Sequence, residues 1–304
     1  MDIFQAALLT VITASTPLLL AAIGELVCER SGVLNLGVEG MMVMGAVCGF
    51  SATYLSGSGM VGVVAGMAGG ILMAALFAIM VLTFAANQVA TGLALTIMGL
   101  GLSGLIGTNF VGKQIVAVPK IYLPGLSDIP LVGPVVFGQD AFVYASFLLV
   151  AAVWWFLNRT RTGLMLRAVG DNHVSAHALG HPVLKVRFYA ILFGGACAGL
   201  AGAYLSMAYT PFWVQGMTAG RGWIALALVV FSSWLPGRVV IGAYLFGAVT
   251  ILQLYAQGAG LTIPSQLMSS LPYVATILVL VLISMRRSRT GAPATLGTSF
   301  VPDR

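Results

Sequence analysis

The chain has 304 residues, of which 59% are hydrophobic and 7% charged, and its mean hydropathy is +1.02. Apolar stretches of spanning length recur from end to end, which excludes a soluble globular protein and points to an integral membrane protein of the helical kind. The net charge of +6 does not indicate a nucleic-acid partner, because Lys and Arg sit in short segments between apolar runs and form no basic patch.

In chain order, residues 3–24 read as a first span with Pro17 as a kink; no basic n-region precedes it, so it is expected to stay as a membrane helix. Residues 25–40, which hold Glu25, Glu29, Arg30, Asn35 and Glu39, are too polar for lipid contact and too apolar for an ordinary loop. A short apolar run follows at 41–55, then long ones at 60–84 and 88–111, whose glycines at helical spacing suit close packing on protein. Residues 112–139 form a Pro/Gly-rich loop with Lys113, Lys120 and Asp128, and 141–157 a span ending in the interfacial pair Trp154 and Trp155. After a polar stretch come apolar runs at 188–209, 222–234, 239–257 and 272–285, closed by Arg286, Arg287 and Arg289. The cysteines, Cys28, Cys48 and Cys197, are scattered and read as small packed hydrophobes.

The fold expected is therefore an all-α polytopic bundle of about 8 to 10 transmembrane segments. The count depends on 41–55 and 222–234, each too short for a straight span, which are either full crossings, halves of broken helices or re-entrant segments. Both place a charged residue and a glycine before a short apolar run, Glu39-Gly40 and Arg221-Gly222, and they stand an odd number of spans apart. That pairing points to an inverted repeat with a solute path between its halves, with chance similarity over so short a match as the alternative. The basic segments place the C-terminus in the cytoplasm and residues 112–139 outside. Residues 1–290 form the membrane domain, and 291–304 read as a disordered cytoplasmic tail.

The longest polar stretch, 158–187, carries Arg159, Arg161, Arg167, Lys185, Arg187 and all three histidines, and its charge keeps it in the cytoplasm. Asp171 or Asn172 can cap a two-turn helix that Gly180 and Pro182 stop, with glycine hinges at Gly163 and Gly170. A helix so short is not stable alone, so it docks on the membrane domain and on another protein, unless the stretch is a bland interfacial loop. His173, His177 and His181 repeat at four-residue spacing, yet Gly180 and Pro182 keep the third off the helix, and contact with a partner or solvent explains them better than a metal. Asn35, Glu39, Asn87, Gln88 and Trp223 are the candidates for the solute path, because polar groups in or beside spans must pair or face a cavity; interhelical hydrogen bonding is the alternative for each.

Gly163-Leu-Met-Leu-Arg167-Ala168-Val169-Gly170-Asp171-Asn172-His173, with Ala176 and Leu179-Gly180, resembles the cytoplasmic loop of permease subunits of ABC importers for branched-chain amino acids, ribose and related sugars, and nucleosides. Gly32-Val-Leu-Asn35-Leu-Gly37-Val-Glu39-Gly40 and Gly220-Arg221-Gly222-Trp223 are most similar to the nucleoside and simple-sugar branch. The resemblance implies that the loop supplies a coupling helix seated in an ATP-binding subunit, with Gly163, Arg167, Ala168, Gly170, Asp171, Asn172, His173, Ala176 and Gly180 as the coupling residues. It further implies an ATPase dimer, a second permease subunit, identical or paralogous, an extracytoplasmic binding protein, and residence in the bacterial inner membrane. This chain would hold no cofactor, the ATP being bound by its partner, and perform no covalent chemistry. The solute would be a nucleoside, with a ribose-like sugar or a branched-chain amino acid as alternatives. From a different class, a secondary carrier or channel would need an ion-coupling acid such as Glu39.

Overall fold

The computed structural model describes residues 3–122, 124, 125, 127, 129, 133–258, 267, 270, 274, 277, 278, 281 and 291–301. The long helices are α1 (Ile3–Arg30), α2 (Val38–Ser56), α3 (Gly59–Ala78), α4 (Gln88–Gly107), α5 (Ala141–Arg159), α8 (Val183–Tyr204) and α10 (Pro236–Gly258). These seven are long and apolar enough to cross a membrane, whereas α9 (Arg221–Phe231) is too short to do so alone. No strand occurs among the described residues, only isolated bridges between Gln114 and Phe212 and between Lys120 and Asp140. The chain is an all-helical, multi-pass membrane protein. The expected run at 272–285 lies largely outside the described residues, as does Asp128.

The core forms where α2, α3 and α8 cross. An added Cβ at Gly199 or Gly70 would run into backbone of the facing helix, Gly66 for the first and Gly195 and Gly199 for the second, so the helices touch main chain to main chain. In lipid the attraction between helices comes from such close packing rather than from expulsion of water, which is why these spans are glycine-rich. On the other side of α8, α1 fills the remaining space with Leu19, Leu20, Ile23 and Leu26, all fully buried.

Pro17 does not break α1. It lacks an N–H for the carbonyl of Thr13, and the hydroxyl of Tyr204 on α8 donates to that carbonyl instead at 3.2 Å. The helix also runs six residues past the expected end at 24, because its polar last turns find partners. The Asn35 amide donates to Glu25 Oε1 at 3.2 Å, and the Trp234 indole donates to Glu29 Oε2.

Residues 158–187 are not one long loop. They contain α6 (Arg161–Asp171) and α7 (His173–Ala178). Gly163 and Gly170, expected as hinges, lie inside α6 and are buried. Gly163 admits the carbonyl of Phe156 and Gly170 that of Arg30, so both are sites of close approach rather than flexibility. Residues 291–301, expected to be disordered, lie instead across the end of the bundle that carries Arg30, held by backbone hydrogen bonds from Thr295 N to Gly170 O at 3.0 Å and from Gly297 N to Gly32 O at 3.2 Å.

Candidate functional site

Two irregular segments lie inside the bundle, one between the full-length helices α1 and α2 and one ahead of the short α9, and the two breaks meet. The first break is residues 31–37 between α1 and α2, entered through Gly32 at φ 88°, a left-handed conformation that glycine adopts without strain. An irregular segment inside a bundle must find partners for its backbone, and here side chains supply them. Leu34 N donates to Gln88 Oε1 at 2.8 Å, Gly37 N to Asn35 Oδ1 at 3.0 Å, and Thr96 Oγ1 to Leu36 O at 3.1 Å. The Asn35 side-chain amide faces Met41 Sδ at 3.5 Å. Asn35, Glu25 and Gln88 are all buried, and Glu25 Oε2 has no partner among the described residues.

The second break is residues 210–220, between the π-helical turn Leu205–Tyr209 that ends α8 and the start of α9. It leaves the end of the bundle opposite Arg30 through the Phe212–Gln114 bridge and passes α4. There Gly107 makes room for the Trp213 ring, 2% exposed, and Gly104 lies beside the Gln215 amide.

Glu39 joins the two breaks. One carboxylate oxygen accepts from Thr218 Oγ1 at 2.6 Å and Gly220 N at 2.9 Å, and the other from Gly222 N at 2.6 Å. The negative charge thus sits in the first turn of its own helix and on the first amides of α9, where two helix dipoles favour it. From this carboxylate α2 and the shorter α9 diverge. Helix α2 passes Thr53, beside Gly62 near Met207, while α9 ends at Phe231 in a turn that carries Trp234, whose carbonyl accepts from Arg30 Nε at 3.1 Å.

The five residues expected along a solute path therefore separate. Asn35, Glu39 and Gln88 gather at the first break, where their polar atoms are engaged within the chain. Asn87 is exposed and caps α4 by accepting from Ala90 N at 3.0 Å, and Trp223 is half-turned outward on α9 at 37% exposure.

Open space lies instead beside the second break. A cavity of about 150 Å³ is lined by Tyr209, Arg221, Thr250 and Gln253, with Ala14, Leu18 and Phe246 closing its apolar side. The Arg221 guanidinium stands over the Tyr209 ring, 5.6 Å from its centroid, and donates to Met217 O at 3.2 Å and Thr218 O at 3.3 Å. Ala14 and Leu18 are midway along α1, and Phe246 and Thr250 midway along α10, so this polar group is at mid-bundle depth, where polar side chains persist only with partners or a cavity. Thr250 and Gln253 escape a reading that starts from short segments, although their three-residue spacing on an apolar helix puts both on one face. A larger cleft of about 810 Å³ opens at the end opposite Arg30, between Tyr54, Ser58, Gln114, Pro119 and Phe142. The groove between α5, α6 and α8, about 580 Å³, is lined almost wholly by apolar groups such as Val153, Phe156, Met165 and Phe193, and offers little to a polar solute.

The third feature is the face formed by α6 and α7. Asn172 caps α7 by accepting from Ser175 N at 2.9 Å, and Gly180 at φ 84° ends it, as its sequence dictates. Ala176 is buried against Val169 and Val183, with Phe300 of the tail packed on them. Val174, Leu179, Ala168, Asp171, His177 and Gly180 are exposed. Arg167 is half-buried, with its Nε lacking a partner among the described residues. His173 Nδ1 accepts from Arg187 Nη2 at 3.2 Å, and burial together with the Arg187 charge holds its pKa below the usual histidine value.

Residues 7–285 match the family model described as the branched-chain amino acid transport system permease component. The chain is 42% identical to a putative glucose ABC transporter permease of Haloferax volcanii, over 98% of each chain. It is 33% identical to a guanosine ABC transporter permease of Bacillus subtilis, over 92% of this chain and 93% of the relative. A nucleoside ABC transporter permease of Lactococcus lactis is 30% identical over 95% of both.

Proposed function

The chain belongs to the branched-chain amino acid transport permease family, and on that premise we propose that it is the membrane-spanning subunit of an ATP-driven importer for a nucleoside or simple sugar. The observation that carries the substrate class is full-length similarity to sugar and nucleoside permeases, with a polar cavity at mid-bundle depth beside a broken span.

The solute passes the second break. Arg221 donates to hydroxyl or carbonyl oxygens, the Tyr209 ring offers a face for a sugar or base to lie on, the Thr250 hydroxyl, which donates to Phe246 O at 2.9 Å, accepts, and the Gln253 amide both donates and accepts. The cavity has the scale of one sugar or base ring, so a whole nucleoside needs the space to widen as the spans rock. The first break serves as a fixed point: Asn35, Gln88 and Glu39 hold residues 31–37, and Glu39 ties them to α9. Helices α2 and α9, which start at one carboxylate and point to opposite ends, are the corresponding elements of an inverted repeat.

The Arg30 end faces the cytoplasm, since Arg30, Arg159, Arg161, Arg167, Lys185 and Arg238 lie there. An ATPase dimer takes α7 through its exposed Val174 and Leu179 and the neighbouring Arg167, Ala168, Asp171 and His177. A binding protein delivers solute at the opposite end, and a second permease subunit completes the path in the cytoplasmic membrane. A carrier powered by an ion-coupling acid at Glu39 fits poorly, because both carboxylate oxygens are held by three donors of the chain itself.

Reconstitution with the ATPase and binding protein in liposomes tests the reading. Uptake of labelled guanosine or glucose that requires ATP, with labelled leucine excluded, is the expected result. Uptake of any of them at equal rate without ATP or the ATPase sinks it.

A further inference from the structure

The segment 291–301 has the composition of a disordered tail, yet its backbone and side chains engage α1, the first break, α4, α6, α7 and α8 at the Arg30 end. Gly291 O accepts from Arg30 Nη1 at 2.9 Å, joining the segment to α1. Thr295 donates through both N–H and hydroxyl to Gly170 O, at 3.0 Å and 2.6 Å, joining it to the last turn of α6. Gly297 N donates to Gly32 O at the entrance of the first break. Thr298 O accepts from Arg187 Nη1 at 3.0 Å and from Gln88 Nε2 at 3.4 Å, and Gln88 is the residue that also holds Leu34. Phe300 ends the run with its ring centroid 5.1 Å from that of His173 and 5.3 Å from that of His177.

Arg187 is the node beneath it. Fully buried on α8, it donates to Ser31 O at 3.2 Å, Thr298 O at 3.0 Å, Thr295 Oγ1 at 3.3 Å and His173 Nδ1 at 3.2 Å. One guanidinium therefore touches the first break, the tail and α7 at once. A six-residue helix has no stability of its own, and the apolar seat under α7 consists of Val169, Ala176 and Val183 with Phe300 laid against them.

We propose that residues 291–301 form a strap that seats the docking helix α7 and, through Arg187, ties it to residues 31–37, so that displacement of α7 is passed to that segment between α1 and α2. Phe300, Thr295, Thr298 and Arg187 are positioning residues in this scheme. The proposal rests on the importer reading for the word displacement, since a partner must move α7, but the seating of α7 belongs to this chain alone.

The test compares Phe300→Ala with Phe300→Leu, which keeps an apolar group on the seat. The permease alone in detergent is digested with trypsin, and cleavage within 159–185 is timed. The complete complex in liposomes is then assayed for solute taken up per ATP hydrolysed. Phe300→Ala is expected to speed loop cleavage about tenfold and to lower uptake per ATP by a similar factor while hydrolysis continues, with Phe300→Leu restoring most of both. Unchanged cleavage in Phe300→Ala overturns the strap, and so does faster cleavage with uptake per ATP intact, because that is packing without transmission. Should Phe300→Ala fail to yield folded protein, Thr298→Pro, which removes the N–H that Thr298 donates to Thr295 O at 3.0 Å and so loosens the strap's hold on Phe300, is read by the same criteria. ATP-independent uptake by the unaltered complex would defeat the importer reading instead, and loop cleavage would then decide whether the seat exists.

Discussion

The two breaks are built from similar local sequence, a charged residue and a glycine at the start of an apolar helix, and they do different things. At the first, Asn35, Gln88, Thr96 and Glu25 take up the backbone groups of residues 31–37, and none of the three cavities described above is lined by that segment. At the second, residues 210–220 are pinned at their end by Glu39, but the next side chain, Arg221, faces a polar cavity. An interruption with its polar groups satisfied internally is a fixed point, and one beside open space is a place for solute. Similar motifs in the two halves therefore do not imply similar duties.

Removing the joint between the breaks should have the largest effect. Glu39→Ala leaves Thr218 Oγ1 and the Gly222 amide buried without their acceptor, at about 1–3 kcal/mol each, and the half-buried Gly220 amide without its own. A loss of ~3 kcal/mol or more is expected, seen as a lowered unfolding temperature in detergent and poor recovery, with Glu39→Gln between the two. Unchanged thermal stability would show that the two breaks are not coupled through this carboxylate.

At the second break the expected effect is on transport. Arg221→Gln removes a charged donor worth about 1.5–3 kcal/mol to a bound polar solute, so uptake should fall tenfold or more, with the unfolding temperature shifted only slightly. The same loss of uptake in Gln88→Ala, without loss of stability, would reverse the assignment of the two breaks.

The smallest effect is at the docking face. Only a neutral imidazole can accept from Arg187 at Nδ1, and His173 has its pKa depressed by burial and by that guanidinium, with His177 sharing the Phe300 ring. A histidine with a lowered folded pKa binds its proton first in the unfolded or undocked state. The contact is therefore intact above the ordinary value of 6.5 and weakens as pH falls below it. Tryptic cleavage within 159–185, taken relative to cleavage of an unstructured peptide at the same pH, should quicken modestly between pH 7 and pH 5.5, and His173→Gln should abolish the dependence.

Much of this was legible in the sequence, and the exceptions share a cause. The spans are set by hydropathy, and α7 by Asn172 and Gly180, signals that lie within a few residues of what they control. The continuation of α1 to Arg30 needs Trp234 and Asn35 as partners for Glu29 and Glu25, which no local propensity reveals. Helix α6 was obscured by Gly163 and Gly170, unfavourable in an isolated helix and needed here to admit the carbonyls of Phe156 and Arg30. The tail is held by Arg187, more than a hundred residues away, so its Pro, Gly and Thr content gives no hint of order. The role of Glu39 is likewise read only when Gly220 and Gly222 are seen on its oxygens.

The most direct measurement is cysteine accessibility in a background where Cys28, Cys48 and Cys197 are replaced. Thr250→Cys and Asn35→Cys are treated with a water-soluble thiol reagent in the assembled complex, with and without the transported solute. Reaction at position 250 that solute slows, with position 35 inert, is the result predicted. Solute-protected reaction at position 35 with position 250 inert would contradict the account.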